Sequence, residues 1–257
     1  MKVVQDFRDL SCRQCSDGAG LDFDFTMAFQ PIVNITTKKI FAHEALVRGL
    51  NNESAAQVIA QVNDGNRYRF DQTCRVKAIK VAAQLGMQTY ININFMPNAV
   101  FKPELCIRTT IQAAETYGFP IEHIVFEFLE DEKLTDLGHV RNIFKHYKQR
   151  GFKTALDDFG AGFANLNLLC EIHTDYLKLD MAMIRNINLD KRRQAIVRGT
   201  MLVCQELGIE VIAEGVETYE ELTTLQSFGV ELIQGYYFCR PQFEALADVP
   251  LSAFDAR

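Results

Sequence analysis

Two adjacent carboxylates, Asp157 and Asp158, end the apolar approach of TALDDFGAG (154–162), followed by two glycines around one alanine. Neighbouring side chains on a strand point to opposite faces. A side-by-side pair of anions there reads either as a surface turn or as part of a cation site. The same order, an apolar run and then an acid or amide, recurs along the chain. Glu44 lies in FAHEAL, Asn92 and Asn94 in ININF, and Glu127 in IVFEF. Lys178 and Asp180 lie in YLKLD, Glu214 and Glu217 in VIAEGVE, and Gln234 in LIQG. A solvated side chain explains any one of these but explains the series poorly. If the runs are strands that converge at one mouth, their ends bring together several carboxylates, amides and one ammonium.

Such a cluster cannot stay fully ionised without compensation. Either the carboxyl pKa values rise or divalent cations neutralise the charge. The donors are oxygens, with no cysteine or histidine group among them, which suits Mg²⁺ or Mn²⁺ better than zinc or copper. One of two neighbouring aspartates can bridge two ions while the other binds the second. Two metals roughly 4 Å apart activate a water and stabilise the oxygens of phosphoryl transfer. Lys178 adds a fixed positive charge that orients the attacking water or offsets developing charge. Metal-assisted phosphoester hydrolysis is the favoured chemistry. Metal-assisted carbon chemistry of the aldolase or enolase type and a plain barrel with polar strand ends stand beside it.

The elements that must position these residues alternate regularly. Strand-like runs cover 26–35, 39–46, 89–95, 123–128, 152–157, 175–180, 209–214 and 230–235. Helical spacing covers 54–62, 70–85, 103–117, 137–150, 192–207 and 219–228, and Gly86, Gly118, Gly151, Gly208 and Gly229 follow as C-terminal stops. Alternating strands and helices without a Pro/Ser-rich linker argue for an α/β fold. At 257 residues a barrel leads, with a doubly wound sheet as the alternative. Residues 1–25 read as a polar leader and 26–257 as one domain.

The net charge of −6 comes with no long basic run, so a nucleic-acid polymer or a membrane surface is not the expected partner. No apolar run approaches the roughly 20 residues of a membrane span, and the N-terminus lacks a signal-peptide core. Seven cysteines, an odd number, then read as reduced thiols in a cytoplasmic protein. Cys12 and Cys15 form a lone CxxC with no second ligand pair nearby. His43 faces away from Glu44 on a regular strand, and His123, His139, His146 and His173 read as solvated. Residues 185–193 read as a helix start. Tyr236, Tyr237 and Phe238 suit either stacking on a base or packing at the rim.

Six ordered blocks between Met27 and Pro241 resemble the EAL-domain family: FQPIV, HEALVR, DDFGAGFANL, YLKLD, AEGVE and QGYYFCRP. The resemblance implies a TIM-like eight-fold β/α barrel with one antiparallel strand. It implies hydrolysis of cyclic di-GMP to linear pGpG with two Mg²⁺ or Mn²⁺ ions, inhibition by Ca²⁺, and a homodimer. By family position, Glu44, Asn94, Glu127 and Asp157 hold one ion, and Asp157, Asp158 and Glu214 the other. Asn94 is chosen over Asn92 because Pro97 follows it by three residues, as in the family block. Lys178 positions the water. Gln30, Leu46 and Arg48 match substrate contacts, and Gln234 and Glu217 match positions close to the site. Glu130 matches a residue supporting the loop after the double aspartate, where Leu129 and Ala161 depart from the usual threonines. The resemblance also admits a catalytically weak module that binds cyclic di-GMP or a protein partner.

Overall fold

The computed structural model describes residues 21–100, 102–128, 137–160 and 166–254. Cys12, Cys15, Leu129, Glu130 and Ala161 lie outside the described residues. Eight strands close into a barrel: β1 (Thr26–Asn34), β2 (Lys39–Arg48), β3 (Tyr90–Phe95), β4 (Ile124–Phe128), β5 (Lys153–Phe159), β6 (Tyr176–Leu179), β7 (Glu210–Ala213) and β8 (Leu232–Gln234). From β2 to β8 each strand lies parallel to the next. β1 runs antiparallel to β2 on one side and to β8 on the other, which completes the closure. A short β9 (Gln242–Phe243) pairs with Ala28 and Phe29 outside the barrel.

The helices follow their local signals. Ser54 forms a capping box with Gln57 ahead of Ala55–Ile59, and Thr218 does the same with Glu221 ahead of Tyr219–Ser227. Asp190 caps Lys191–Leu207 by accepting from Arg192 and Arg193 amides, so the charged stretch is a helix start. Gly118 and Gly208 take the left-handed conformation that ends their helices. The span 103–117 is two helices, Pro103–Cys106 and Arg108–Tyr117, and Leu166–Glu171 and Met181–Ile184 add two short ones.

Two cores hold the barrel. The larger lies between strands and helices and includes Phe95, Phe126, Phe128 and Tyr147. Phe126 is fully buried, worth about 2 kcal/mol of apolar transfer. The smaller fills the barrel itself: Ile32, Ala42, Val125, Ala155, Tyr176, Ile212 and Leu232. Side chains two residues apart share a strand face. The residue two places toward the open mouth from each is therefore Gln30, Glu44, Glu127, Asp157, Lys178, Glu214 or Gln234. The antiparallel sense of β1 explains why its polar residue precedes the apolar one. An apolar plug thus carries a polar layer.

Candidate active site at the barrel mouth

Lys178, only 1% exposed, is the centre of that polar layer. Its Nζ lies 2.8 Å from Glu127 Oε1, 3.1 Å from Asp157 Oδ1, 2.5 Å from Glu214 Oε1 and 3.6 Å from Glu44 Oε2. The amides complete the layer. Asn94 Nδ2 donates to Glu44 Oε1 at 3.0 Å, Asn92 Nδ2 to Glu127 Oε1 at 2.7 Å, and Gln234 Nε2 to Glu44 Oε2 at 2.6 Å. Gln234 also reaches Gln30 at 3.3 Å, and Gln30 donates to the Cys239 carbonyl.

The electrostatics follow from burial and crowding. Burial and then the neighbouring carboxylates push Glu127 and Glu214 well above the ordinary carboxyl range, against the pull of Lys178. Burial, with Glu44 nearby, also raises Asp157. Burial alone would raise Glu44, but Lys178 and the Gln234 and Asn94 amides hold it below its ordinary value. Burial would likewise lower Lys178, yet the four carboxylates hold it well above the ordinary lysine value. One ammonium faces four acids.

The donor set fits divalent cations. Among the described residues two groups of carboxylates have oxygens within 4.8 Å of one another: Glu44, Glu127 and Asp157, and Asp157, Asp158 and Glu214. Asp157 belongs to both. Among the described residues, the buried Glu127 Oε2 and Asn94 Oδ1 find no hydrogen-bond partner. An orphaned buried polar atom costs about 1–3 kcal/mol, which a hard cation would relieve. Among the described residues Asn92 Oδ1 is also unpartnered, but Asn94 lines the cavity and Asn92 does not.

Asp158 reaches this region by an irregular backbone. β5 does not end at Asp157 but continues to Phe159, with its pairing to β6 interrupted between Leu156 and Phe159. Asp158 has φ 54°, a conformation that aspartate tolerates better than most residues. The bulge, rather than an early loop, lets both neighbours join the acidic groups.

The remaining expected residues divide. Leu46 lines a cavity of about 320 Å³ that has Glu44, Asn94, Asp157, Asp158 and Glu214 among its walls and Met27, Phe70 and Phe95 on its apolar side. Arg48 is half-buried and donates to the Val47 carbonyl. Glu217 turns away from the cluster and pairs with Arg185 at 2.9 Å. His43 is buried on the opposite face from Glu44, its Nδ1 2.9 Å from Thr89 Oγ1. His139 is half-buried against the Val100 carbonyl rather than solvated. Tyr236 is exposed under the Arg240 guanidinium, whereas Tyr237 and Phe238 pack edge to face. The helix Arg67–Gln84 carries a buried pair outside the strand-end series: Asp71 pairs with Arg75 and accepts from the Met96 amide at 3.0 Å. Its acid–base spacing of four residues, flanked by Phe70, Cys74 and Ala78, was the available signal.

The fold and site define a TIM-like β/α barrel with one reversed strand and an acidic, lysine-centred mouth. The chain belongs to the EAL domain family, whose sequence profile matches residues 19–241. A standalone versatile EAL protein from Vibrio cholerae O395, solved with c-di-GMP bound, is 55% identical with a TM-score of 0.89, over 92% of this chain and 100% of that one. Klebsiella pneumoniae BlrP1 in a manganese and cyclic di-GMP complex is 32% identical with a TM-score of 0.83, over 90% of this chain and 60% of that one. The Escherichia coli K12 blue light- and temperature-regulated antirepressor BluF is 30% identical over 86% of this chain. Other curated relatives are named as cyclic di-GMP phosphodiesterases. The chain spans 55% of BluF and 19–41% of those phosphodiesterases. Among the described residues no helix is long and apolar enough to cross a membrane.

Proposed function

We propose that this chain hydrolyses cyclic di-GMP to linear pGpG using two divalent cations. The observation that carries the reading is the mouth itself: four carboxylates within 3.6 Å of Lys178 Nζ, with Glu127 Oε2 and Asn94 Oδ1 beside them unpartnered among the described residues. Family membership and relatives solved with this dinucleotide support the substrate. Glu44, Asn94, Glu127 and Asp157 would hold one cation, and Asp157, Asp158 and Glu214 the other. Mg²⁺ or Mn²⁺ is the working ion and Ca²⁺ an inhibitor. Bound there, the pair would supply Lewis-acid stabilisation of the phosphoryl oxygens and lower the pKa of the attacking water.

The chain's own residues supply the rest. Lys178 keeps its proton among four acids and offers a fixed donor to orient the water. Arg48 suits a phosphate oxygen as a charge-assisted donor. Leu46 lines the cavity, and Gln30 and Gln234, buried beside Glu44, would contact the dinucleotide from the polar layer. Water adds at one phosphorus and the bond to the 3′ oxygen breaks, leaving a 5′-phosphate and a free 3′-hydroxyl. Release of pGpG from cyclic di-GMP with Mg²⁺ or Mn²⁺, and its loss in EDTA, tests the reading. Tight dinucleotide binding with no release would instead favour a binding module, the reading suggested by the antirepressor description of BluF. In our reading the chain also pairs with a second copy, which light scattering would detect as twice 29.2 kDa.

A further inference from the structure

Asp158 and Glu214 come from β5 and β7, which are not neighbours, because β6 lies between them. The end of β6 holds both. Asp180 N donates to the Phe159 carbonyl at 3.2 Å, and Glu214 N donates to the Leu179 carbonyl at 3.1 Å. The chain then turns into the short helix Met181–Ile184, capped by the Asp180 side chain, which accepts from Ala182 N at 2.7 Å.

Two methionines of this turn lie close against the backbone on either side, Met183 half-buried and Met181 exposed beyond its Cβ. A Cβ on Gly160, two residues after Asp158, would lie 2.7 Å from Met183 Cγ. A Cβ on Gly215, the residue after Glu214, would lie 2.4 Å from Met181 Cβ. Neither distance is open to a real side chain, so the turn touches both backbones directly. The loop after β7 is also fixed elsewhere. Buried Glu221 accepts from the amides of Glu217 at 2.9 Å, Thr218 at 3.2 Å and Asn186 at 2.9 Å. Asn186 follows the methionine turn, so one carboxylate ties the loop to the turn.

We infer that the Met181–Ile184 turn is a spacer that sets the separation of Asp158 from Glu214, with Met181 and Met183 as positioning residues for the second cation. The inference rests on the two-cation reading. It is selective, because Glu44, Asn94 and Glu127 stand on β2, β3 and β4, away from the turn, and the shared Asp157 is held separately by Lys178 at 3.1 Å.

Mn²⁺ binding to the metal-free protein, counted by calorimetry and by electron paramagnetic resonance, is the test. The parent chain takes two ions. Met183→Ala, which only removes side-chain atoms, weakens the second ion about tenfold and leaves the first unchanged, in line with the usual effect of residues behind a ligand. Gly160→Ala weakens the second ion further. Gly160→Ala combined with Met183→Ala recovers part of that loss, because the new methyl then has room; backbone strain at Gly160 alone would give no recovery. Thermal midpoints check that each variant is folded, and Met183→Ala alone decides if Gly160→Ala does not fold. Equal weakening of both ions, or an unchanged second ion in Met183→Ala, overturns the spacer while leaving the two-cation reading intact. A parent chain that binds a single ion removes both.

Discussion

Replacing Lys178 with methionine keeps length and apolar volume while deleting the charge. The loss can be sized from the geometry. Contacts of 2.5, 2.8, 3.1 and 3.6 Å to four carboxylates are each worth about 5–7 kcal/mol gross at an effective dielectric near 20. That sum is not the net effect, because burying the ammonium and the acids opposes it. Removing one partner from a buried charge cluster costs about 3–5 kcal/mol. Proton uptake by Glu127 and Glu214, already pushed upward, limits the loss further. For a chain of this size the metal-free variant should melt about 10 °C lower. Cations change the balance. With the ammonium gone, Mn²⁺ meets less repulsion and neutralises the same acids. Its affinity is therefore equal or tighter, and its stabilisation exceeds that in the parent. Turnover nevertheless falls by about 10²–10³, the usual cost of removing one preorganised donor. Thermal melts with and without Mn²⁺, calorimetric Mn²⁺ titration and chromatographic pGpG release measure the three quantities. Weaker Mn²⁺ binding in Lys178→Met, or turnover above about a tenth of the parent, would refute the opposition between lysine and cation argued from these distances.

Asp157 belongs to both carboxylate groups, so Asp157→Asn should weaken both ions and abolish pGpG release, whereas Asp158→Asn should weaken only the second ion in the same titration. A Cβ on Gly235 would lie 1.9 Å from the Val216 carbonyl oxygen; Gly235→Ala therefore forces backbone movement and should lower stability by about 2–4 kcal/mol, read by chemical denaturation. Burial pushes the Cys204 thiol up to about 11, so its thiolate is scarce until the pH rises toward that value. At pH 8 iodoacetamide should label exposed Cys170 and leave Cys204 unmodified, as mass mapping of peptides would record.

The two-residue strand period explains both what the sequence disclosed and what it hid. Within each barrel strand, an apolar residue and the polar one two places away share the inner face, as in Ala155 with Asp157 or Tyr176 with Lys178. That repetition survives in one dimension, so the strands and the residues at their mouth ends could be picked out before any fold was known. Distances across the barrel have no such trace. Lys178 is as close to Glu44, far away in the chain, as an ion pair requires, and only closure through antiparallel β1 brings them together. Glu217 shows the converse: a nearby acid in AEGVE that leaves the cluster because Arg185 draws its carboxylate outward. The Asp71–Arg75 pair was hidden for another reason. The helix Arg67–Gln84 buries Gln72 and Arg75 together with Phe70 and Ala78, so charge on it did not mark a solvated face. Asp158 was legible as a residue but not as a conformation, since a positive φ within a strand depends on how β5 meets β6. Residue type therefore indicated which atoms could bind cations, while the reach of Asp158 and Glu214 toward one another is a property of the turn between them.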